Sequence, residues 1–327
     1  MADLRTRYLG LDLANPLIAG SCSLHKTVDG VKRSADAGAG AVVLKSLFEE
    51  QLALEAESLT RESSGTGHTE AYEYLNTLAM RLGPRDYLRL IEEAKRSVSI
   101  PVIASLNCVT PLRWVEYASQ IAAAGADALE VNAAFMPTAP SMDAKAIEDR
   151  YYKIVESIAE NLTIPFAVKI GPYFSALPRF AAELVRRGAR GLVLFNRFYQ
   201  LDVDTRSLSL APGYRFSSPE EIYLPLRWIA VLSGQLDCDL AGSTGVHDAE
   251  GVVKLLLAGA AAVQVCSALY LKQVSHLGTL TEGLKQWMKE HGFESLDQFR
   301  GKLRQEPGAQ QEAYERLQYI KVFVGIE

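Results

Sequence analysis

Two lysines and three asparagines stand at matching places in this sequence, each near the end of a short apolar run. Lys45 lies in AVVLKS (41–46) and Lys169 in PFAVKI (165–170). Asn107, Asn132 and Asn196 lie in PVIASLN (101–107), ALEVNA (128–133) and GLVLFN (191–196). Buried strands avoid lysine, because an unpaired ammonium away from water is costly. Taken singly, such a lysine is as readily a solvated or ion-paired residue, and such an asparagine a turn former. Five together, on five different runs, point to a site. A fixed ammonium there stabilises negative charge on a planar ring, while amide groups offer donors and acceptors to its edge.

A second set of residues suits a phosphate. AGSTGV (241–246), followed by Asp248 at a helix start, offers backbone N–H groups and hydroxyls, and QVCSAL (264–269) offers a second turn of small residues. GSTG alone is equally a plain tight turn; in register with the second turn it argues for a phosphorylated ligand or cofactor. Reduced flavin carries negative charge around N1, so two lysines beside a phosphate-anchored ring permit an FMN oxidoreductase.

These residues need a frame. Eight short runs rich in Val, Ile, Leu and Ala (16–21, 41–46, 101–107, 128–133, 165–170, 191–196, 238–243 and 262–267) are nearly continuously apolar, as strands buried on both faces are. Between and after them lie segments of helical period: 28–37, 84–98, 111–124, 144–161, 176–187, 219–232, 248–258 and 279–291. Gly38, Gly125, Gly188 and Gly259 read as helix stops, and Asp248 as an N-terminal cap. Alternating units of this kind predict a parallel sheet, and eight of them predict a closed (β/α)8 TIM barrel over about 16–291. An open doubly wound sheet would want G-x-G-x-x-G after the first strand, where the chain reads GSCSLH (20–25). The expected organisation is one domain. Residues 1–291 form the barrel, 47–83 a long polar loop after its second strand, and 292–327 a helical tail packed on it, with Ser295 as its first cap.

The 327 residues carry 34 Lys+Arg against 39 Asp+Glu, a net charge of −5, and mean hydropathy is +0.02. No basic surface for phosphate contacts is implied, so a nucleic-acid partner is not expected. Cys22, Cys108, Cys238 and Cys266 are widely spaced with no C-x-x-C, which excludes a zinc ribbon or an iron–sulfur cluster held within this chain. The start, MADLRTRYLGLDL, has no apolar core of a signal peptide, and no run nears a membrane span. Neither a metal nor a membrane is expected, and a reducing cytoplasm is the expected compartment.

The chain resembles the dihydroorotate dehydrogenases, FMN-containing (β/α)8 barrels that oxidise dihydroorotate to orotate in pyrimidine (UMP) biosynthesis. NPLIAGS (15–21), VVLKS (42–46), EVN (130–132), PFAVKI (165–170), LFNR (194–197), AGSTGV (241–246) and VQVCSAL (263–269) carry the resemblance. It implies that Gly20 and Ser21 meet the flavin through their backbone and that Lys45 and Lys169 flank its ring. Gly242, Thr244, Gly245, Cys266 and Ser267 fall in the segments that hold the FMN phosphate, Cys266 standing where Gly is usual. Ser46, Asn107 and Ser243 count with these cofactor contacts, and Ser218 matches a ribityl-side turn. Asn76, Asn132 and Asn196 are the implied substrate asparagines, with Asn132 and Asn196 also touching the flavin.

The substrate half departs from the family pattern. Where the family has Asn-x-Ser-(Cys or Ser)-Pro-Asn, this chain reads Asn132-Ala133-Ala134-Phe135-Met136-Pro137, so Phe135 holds the position of the catalytic base and cannot take a proton. Cys108 and Thr138 are the candidates for a relocated base, with Ser141, His68 and Tyr72 behind them. The expected activity is FMN-dependent hydride transfer from dihydroorotate or a related planar heterocycle. The alternatives are a non-catalytic or electron-transfer flavin-binding homologue, or an oxidoreductase with another substrate. A flavin-free enzyme on a phosphorylated metabolite leaves the lysine pair unexplained. The resemblance further implies a homodimer, with fumarate as acceptor or NAD reached through an iron–sulfur flavoprotein partner.

Overall fold

The structure, a computed structural model, describes residues 2–50, 85–108, 111–135, 137–197, 200–213, 215–305 and 311–325. It opens with an antiparallel hairpin, β1 (Thr6–Tyr8) and β2 (Leu11–Leu13). The barrel strands follow: β3 (Leu17–Ala19), β4 (Ala41–Val43), β6 (Val102–Asn107), β7 (Ala128–Asn132), β8 (Phe166–Ile170), β9 (Gly191–Leu194), β12 (Asp239–Ser243) and β13 (Ala262–Val265). All are parallel to their neighbours, and pairing of β3 with both β13 and β4, and of β4 with β6, closes the sheet into a (β/α)8 barrel. A two-residue strand, β5 (Leu47–Phe48), adds to β6.

Alternation along each strand sorts the side chains. Ile18, Ala41, Val43, Ile103, Ala128, Ala167, Val193, Ala241 and Ala262 pack inside the barrel. Leu17, Val42, Leu129, Val131, Val168, Leu192, Leu240 and Val263 face the helices instead. Tyr8, Leu9 and Leu13 of the β1–β2 hairpin join the inner cluster, and Leu9 N donates to Asp239 Oδ2 at 2.6 Å. The hairpin therefore plugs the amino end of the barrel, each such buried side chain contributing about 1.5–3 kcal/mol.

The surrounding helices are α1 (Val28–Asp36), α2 (Arg85–Ser97), α3 (Pro111–Ala123), α4 (Ala144–Asn161), α5 (Leu177–Arg186), α6 (Tyr223–Leu232), α7 (Ala249–Ala258), α8 (Ser267–Lys272), α9 (His276–Glu290) and α10 (Gln311–Val324). Side-chain oxygens of Thr27, Asp143 and Asp248 cap α1, α4 and α7, accepting from the N–H three residues on. Gly259 ends α7 at φ +114, the left-handed region that a Cβ disfavours.

The structure departs from the sequence pattern in several places. Pro219–Ile222 is a 3-10 turn leading into α6, and α9 begins at His276, three residues before the expected start. Residues 200–213 form a hairpin, β10 (Gln200–Asp204) with β11 (Ser209–Gly213), whose first strand is exposed throughout and which the eight-unit pattern does not contain. Ser295 makes no side-chain cap. The segment after α9 is instead tied down by backbone bonds, Gly301 N to Leu256 O at 2.9 Å, Leu303 N to Leu257 O at 2.9 Å and Gln305 N to Ala230 O at 2.8 Å. Among the described residues no helix is long and apolar enough to cross a membrane.

Candidate functional site

Two residues beyond the inner apolar ring, the inward register turns polar. Past Ile103 comes Ser105, past Ala128 comes Glu130, past Ala167 comes Lys169, past Ala241 comes Ser243, and past Ala262 comes Gln264. A polar floor therefore lies at the carboxyl end of the barrel, above the plugged amino end. That end is where the fold keeps its chemistry.

The floor is built around Lys169. Its ammonium donates to Gln264 Oε1 at 3.0 Å and lies 3.5 Å from Glu130 Oε1. Gln264 Nε2 donates to Glu130 Oε2 at 2.5 Å. The Lys169 and Glu130 side chains are 11% and 2% exposed. Glu130 Oε1 accepts no hydrogen bond, so the lysine charge is its compensation. Burial makes this pairing obligatory, since removing either charge strands the other.

A cleft opens over this floor. Ser21, Lys169, Asn196, Arg197, Ser217, Ser243, Thr244, Gly245, Gln264, Cys266 and Ser267 line it. Asn196 Nδ2 donates to Asn132 Oδ1 at 2.7 Å, which joins β7 to the cleft edge. The Ser21 and Ser46 hydroxyls lie 3.1 Å apart, and Ser46 reaches Ser105 Oγ at 2.8 Å, so three strands are stitched by hydroxyls. At the β12 turn, Thr244 sits at φ +83 and Gly245 at φ +77. A Cβ on Gly245 would meet Ile222 N at 2.2 Å, so only glycine fits. Holding Thr244 in the left-handed region costs about 1–3 kcal/mol, strain of the kind that collects at ligand sites.

Of the residues singled out from sequence, Ser21, Lys169, Asn196, Ser243, Thr244, Gly245, Cys266 and Ser267 share the cleft, with Asn132 and Ser46 hydrogen-bonded to its rim. Lys45 and Asn107 are half-buried where β4 and β6 end, and Gly20 pairs through its N–H with Val265 O at 2.9 Å. Gly242 lies outside the cleft lining, and a Cβ there would lie 2.7 Å from Leu255 Cδ1, so its close packing against α7 requires glycine. Ser218 is exposed, and its N–H is taken by Glu221 Oε1 at 2.9 Å, whereas buried Ser217 lines the cleft. Asn76, His68, Tyr72 and Met136 lie outside the described residues.

Phe135 points away from proton chemistry. Its ring stands edge-on to Tyr151 at 5.0 Å, with the Arg150 guanidinium 3.7 Å over its face. Tyr151 continues the cluster to Phe174 and Phe180. The proposed replacements fare no better. Cys108 is buried in the apolar layer, and burial, with Glu49 and Glu50 adding to it, pushes its thiol far up, so it stays protonated. Thr138 is exposed on the loop after β7.

Glu130, Gln264, Ser105, Ser217 and Arg197 are the site residues that a reading of strand ends misses. Period two, counted back from Asn132 and Cys266, would have found Glu130 and Gln264.

Comparison with known proteins gives the family. The dihydroorotate dehydrogenase family pattern matches residues 3–288. The chain belongs to that family. These are oxidoreductases acting on CH–CH groups. The chain is 26% identical to a dihydroorotate dehydrogenase B (NAD(+)) catalytic subunit of Pyrococcus furiosus, over 91% of this chain and 98% of that one. It is 27% identical to the protein of the same description from Pyrococcus abyssi, over the same shares. To a chloroplastic dihydropyrimidine dehydrogenase (NADP(+)) of Arabidopsis thaliana it is 23% identical, over 91% of this chain and 76% of that one.

Proposed function

We propose that this dihydroorotate dehydrogenase family member binds FMN in the barrel cleft and oxidises dihydroorotate, or a closely related planar heterocycle, by hydride transfer. The observation that carries the reading is the buried Lys169–Gln264–Glu130 floor beneath the cleft. The donor set fits the cofactor: a fixed ammonium for the ring, serine and threonine hydroxyls with a strained turn for the phosphate, and amides at the opposite rim. FMN, when bound, would supply the hydride acceptor.

The chain's own residues then divide the work. Lys169 presents positive charge to the ring, and Glu130 with Gln264 holds the ammonium in place. Thr244, Gly245 and Ser267 hold the phosphate, with Ser21 and Ser243 beside it, while Lys45, Ser46 and Asn107 complete the cofactor shell from the neighbouring strands. Asn132 and Asn196 orient the heterocycle, their shared hydrogen bond fixing both amides. The match along nearly the full length of the Pyrococcus furiosus catalytic subunit supports reoxidation through a separate iron–sulfur flavoprotein partner. A homodimer in the cytoplasm is the working assembly.

Orotate formation, followed by absorbance with FMN-loaded protein and fumarate, NAD or an artificial dye as acceptor, tests the reading. Orotate with the dye but with neither natural acceptor is expected for a chain that needs a partner. No orotate with any acceptor, from protein that holds FMN, sinks dihydroorotate as the substrate.

A further inference from the structure

A buried serine–histidine contact stands beside the β12 turn. Ser217 Oγ and His247 Nε2 lie 3.1 Å apart, and each residue is 6% exposed. Ser217, just ahead of the 3-10 turn at Pro219, lines the cleft with Thr244, Gly245 and Ser267. His247, two residues past Gly245, is outside that lining. Both residues are pinned through their backbones. Ser217 N–H donates to Ser267 Oγ at 3.0 Å. The His247 carbonyl accepts from Lys272 Nζ at 3.0 Å and from His276 Nε2 at 2.9 Å, which ties its loop to α8 and α9.

Hydrogen placement decides what Ser217 offers the cleft. A hydroxyl has one hydrogen, and if that hydrogen is given to His247 Nε2 the cleft meets only lone pairs. If Nε2 carries a hydrogen and donates to Oγ, the hydroxyl hydrogen is released toward the cleft. Only the second arrangement suits an anion there. The imidazolium enforces it, since both its nitrogens carry hydrogen, and it stands one hydroxyl away from the anion. Burial holds the His247 ring below its ordinary value, aided by Lys272 and opposed by the Ser217 backbone, Asp248 and Glu221. Glu220 also faces the ring, His276 touches its carbonyl, and Glu221 is paired with Arg197 Nε at 2.8 Å. An arriving dianion reverses the balance, because a nearby opposite charge favours the protonated ring.

We propose that Ser217 and His247 form a proton-linked phosphate clamp: Ser217 donates its hydroxyl hydrogen to a phosphate monoester dianion, and His247 gains a proton from solvent and donates from Nε2 to Ser217 Oγ. The clamp rests on the reading that the cleft holds FMN, and it adds a buried, titrating pair to the turn of Thr244 and Gly245. Ser267, whose Oγ already accepts from Ser217 N–H, keeps its own hydrogen for the same anion. No covalent bond changes apart from the protonation of the ring, so binding takes up at most one proton for each dianion.

The test is calorimetric titration of the full-length protein, freed of flavin, with FMN at pH 7 in two buffers of different ionisation enthalpy, which counts the protons moved. Riboflavin, which lacks the phosphate, is the comparison. Net proton uptake with FMN and none with riboflavin is expected. The phosphate's own residual proton, from a second pKa of about 6, leaves with the opposite sign. His247→Gln keeps a side-chain N–H but cannot titrate, and should bind FMN with the uptake gone. Ser217→Ala should weaken FMN about tenfold and leave riboflavin unchanged, the usual cost of a lost hydrogen bond to a charged group. FMN binding without uptake by the unaltered protein, uptake that riboflavin matches, or uptake that persists in His247→Gln overturns the clamp and leaves the FMN reading standing. No FMN binding by the unaltered protein removes that reading and the clamp with it.

Discussion

Lys169 and Glu130, on neighbouring strands of the barrel, hold opposite charges 3.5 Å apart in a place nearly closed to water. Gln264 bridges them from across the barrel. Each residue is costly alone and acceptable with the other two, which makes the triad a unit rather than three contacts.

That unit gives the first prediction. Lys169→Met leaves Glu130 buried and uncompensated, and should cost about 3–5 kcal/mol in denaturant unfolding while abolishing FMN retention. Adding Glu130→Gln should recover most of the stability and none of the FMN. Equal instability of the single and double variants would show that the two charges are not coupled.

The Asn196–Asn132 hydrogen bond gives the second. Asn196→Ala removes a donor at the rim and frees the Asn132 amide to rotate. Net hydrogen-bond losses of about 1–1.5 kcal/mol predict roughly tenfold slower reduction by dihydroorotate at saturating substrate, with FMN content kept. Rapid mixing under anaerobic conditions measures it; an unchanged rate removes both asparagines from the substrate site.

Phe135 gives the third. Its ring packs on Tyr151 under Arg150, so Phe135→Ala should destabilise by about 2–3 kcal/mol, less than the about 3–5 kcal/mol for a fully buried phenylalanine because the ring is half-buried. The pH dependence of any turnover should be unaltered. A pH profile that moves with this substitution would mean the position takes part in proton transfer.

A fourth concerns acid. Burial, ahead of the nearby Lys272 charge, holds His247 below its ordinary value, and its ring nitrogen lies 3.1 Å from Ser217 Oγ at the cleft wall. The unfolded chain takes up this proton as pH falls through about 6.5, while the folded chain takes it up only at lower pH. Stability is therefore full above that value and declines as pH drops below it. Thermal unfolding at pH 7.5 and 5.5 should show the decline, and His247→Gln should lessen it; a variant with the same acid loss would assign the loss to other groups.

The barrel was readable because its strands are buried on both faces and write themselves as continuous apolar runs. All eight expected runs became barrel strands, and α4 spans Ala144–Asn161 as its periodicity predicts. The hairpins were not readable. β1 and β2 are three residues each, too short for a pattern, and β10 is exposed on both faces, so no burial period marks it. In the site, strand-end polar residues announced themselves, but Glu130 and Gln264 were hidden inside the runs. Their partner Lys169 is remote in sequence, and a charge is acceptable there only because the fold brings it close.

The most direct measurement is the visible spectrum of the FMN-loaded protein under anaerobic conditions before and after dihydroorotate is added. The account predicts a yellow flavin spectrum that bleaches within the mixing experiment. Protein that cannot be loaded with FMN contradicts the cofactor assignment, and a loaded protein whose colour dihydroorotate leaves untouched contradicts the substrate.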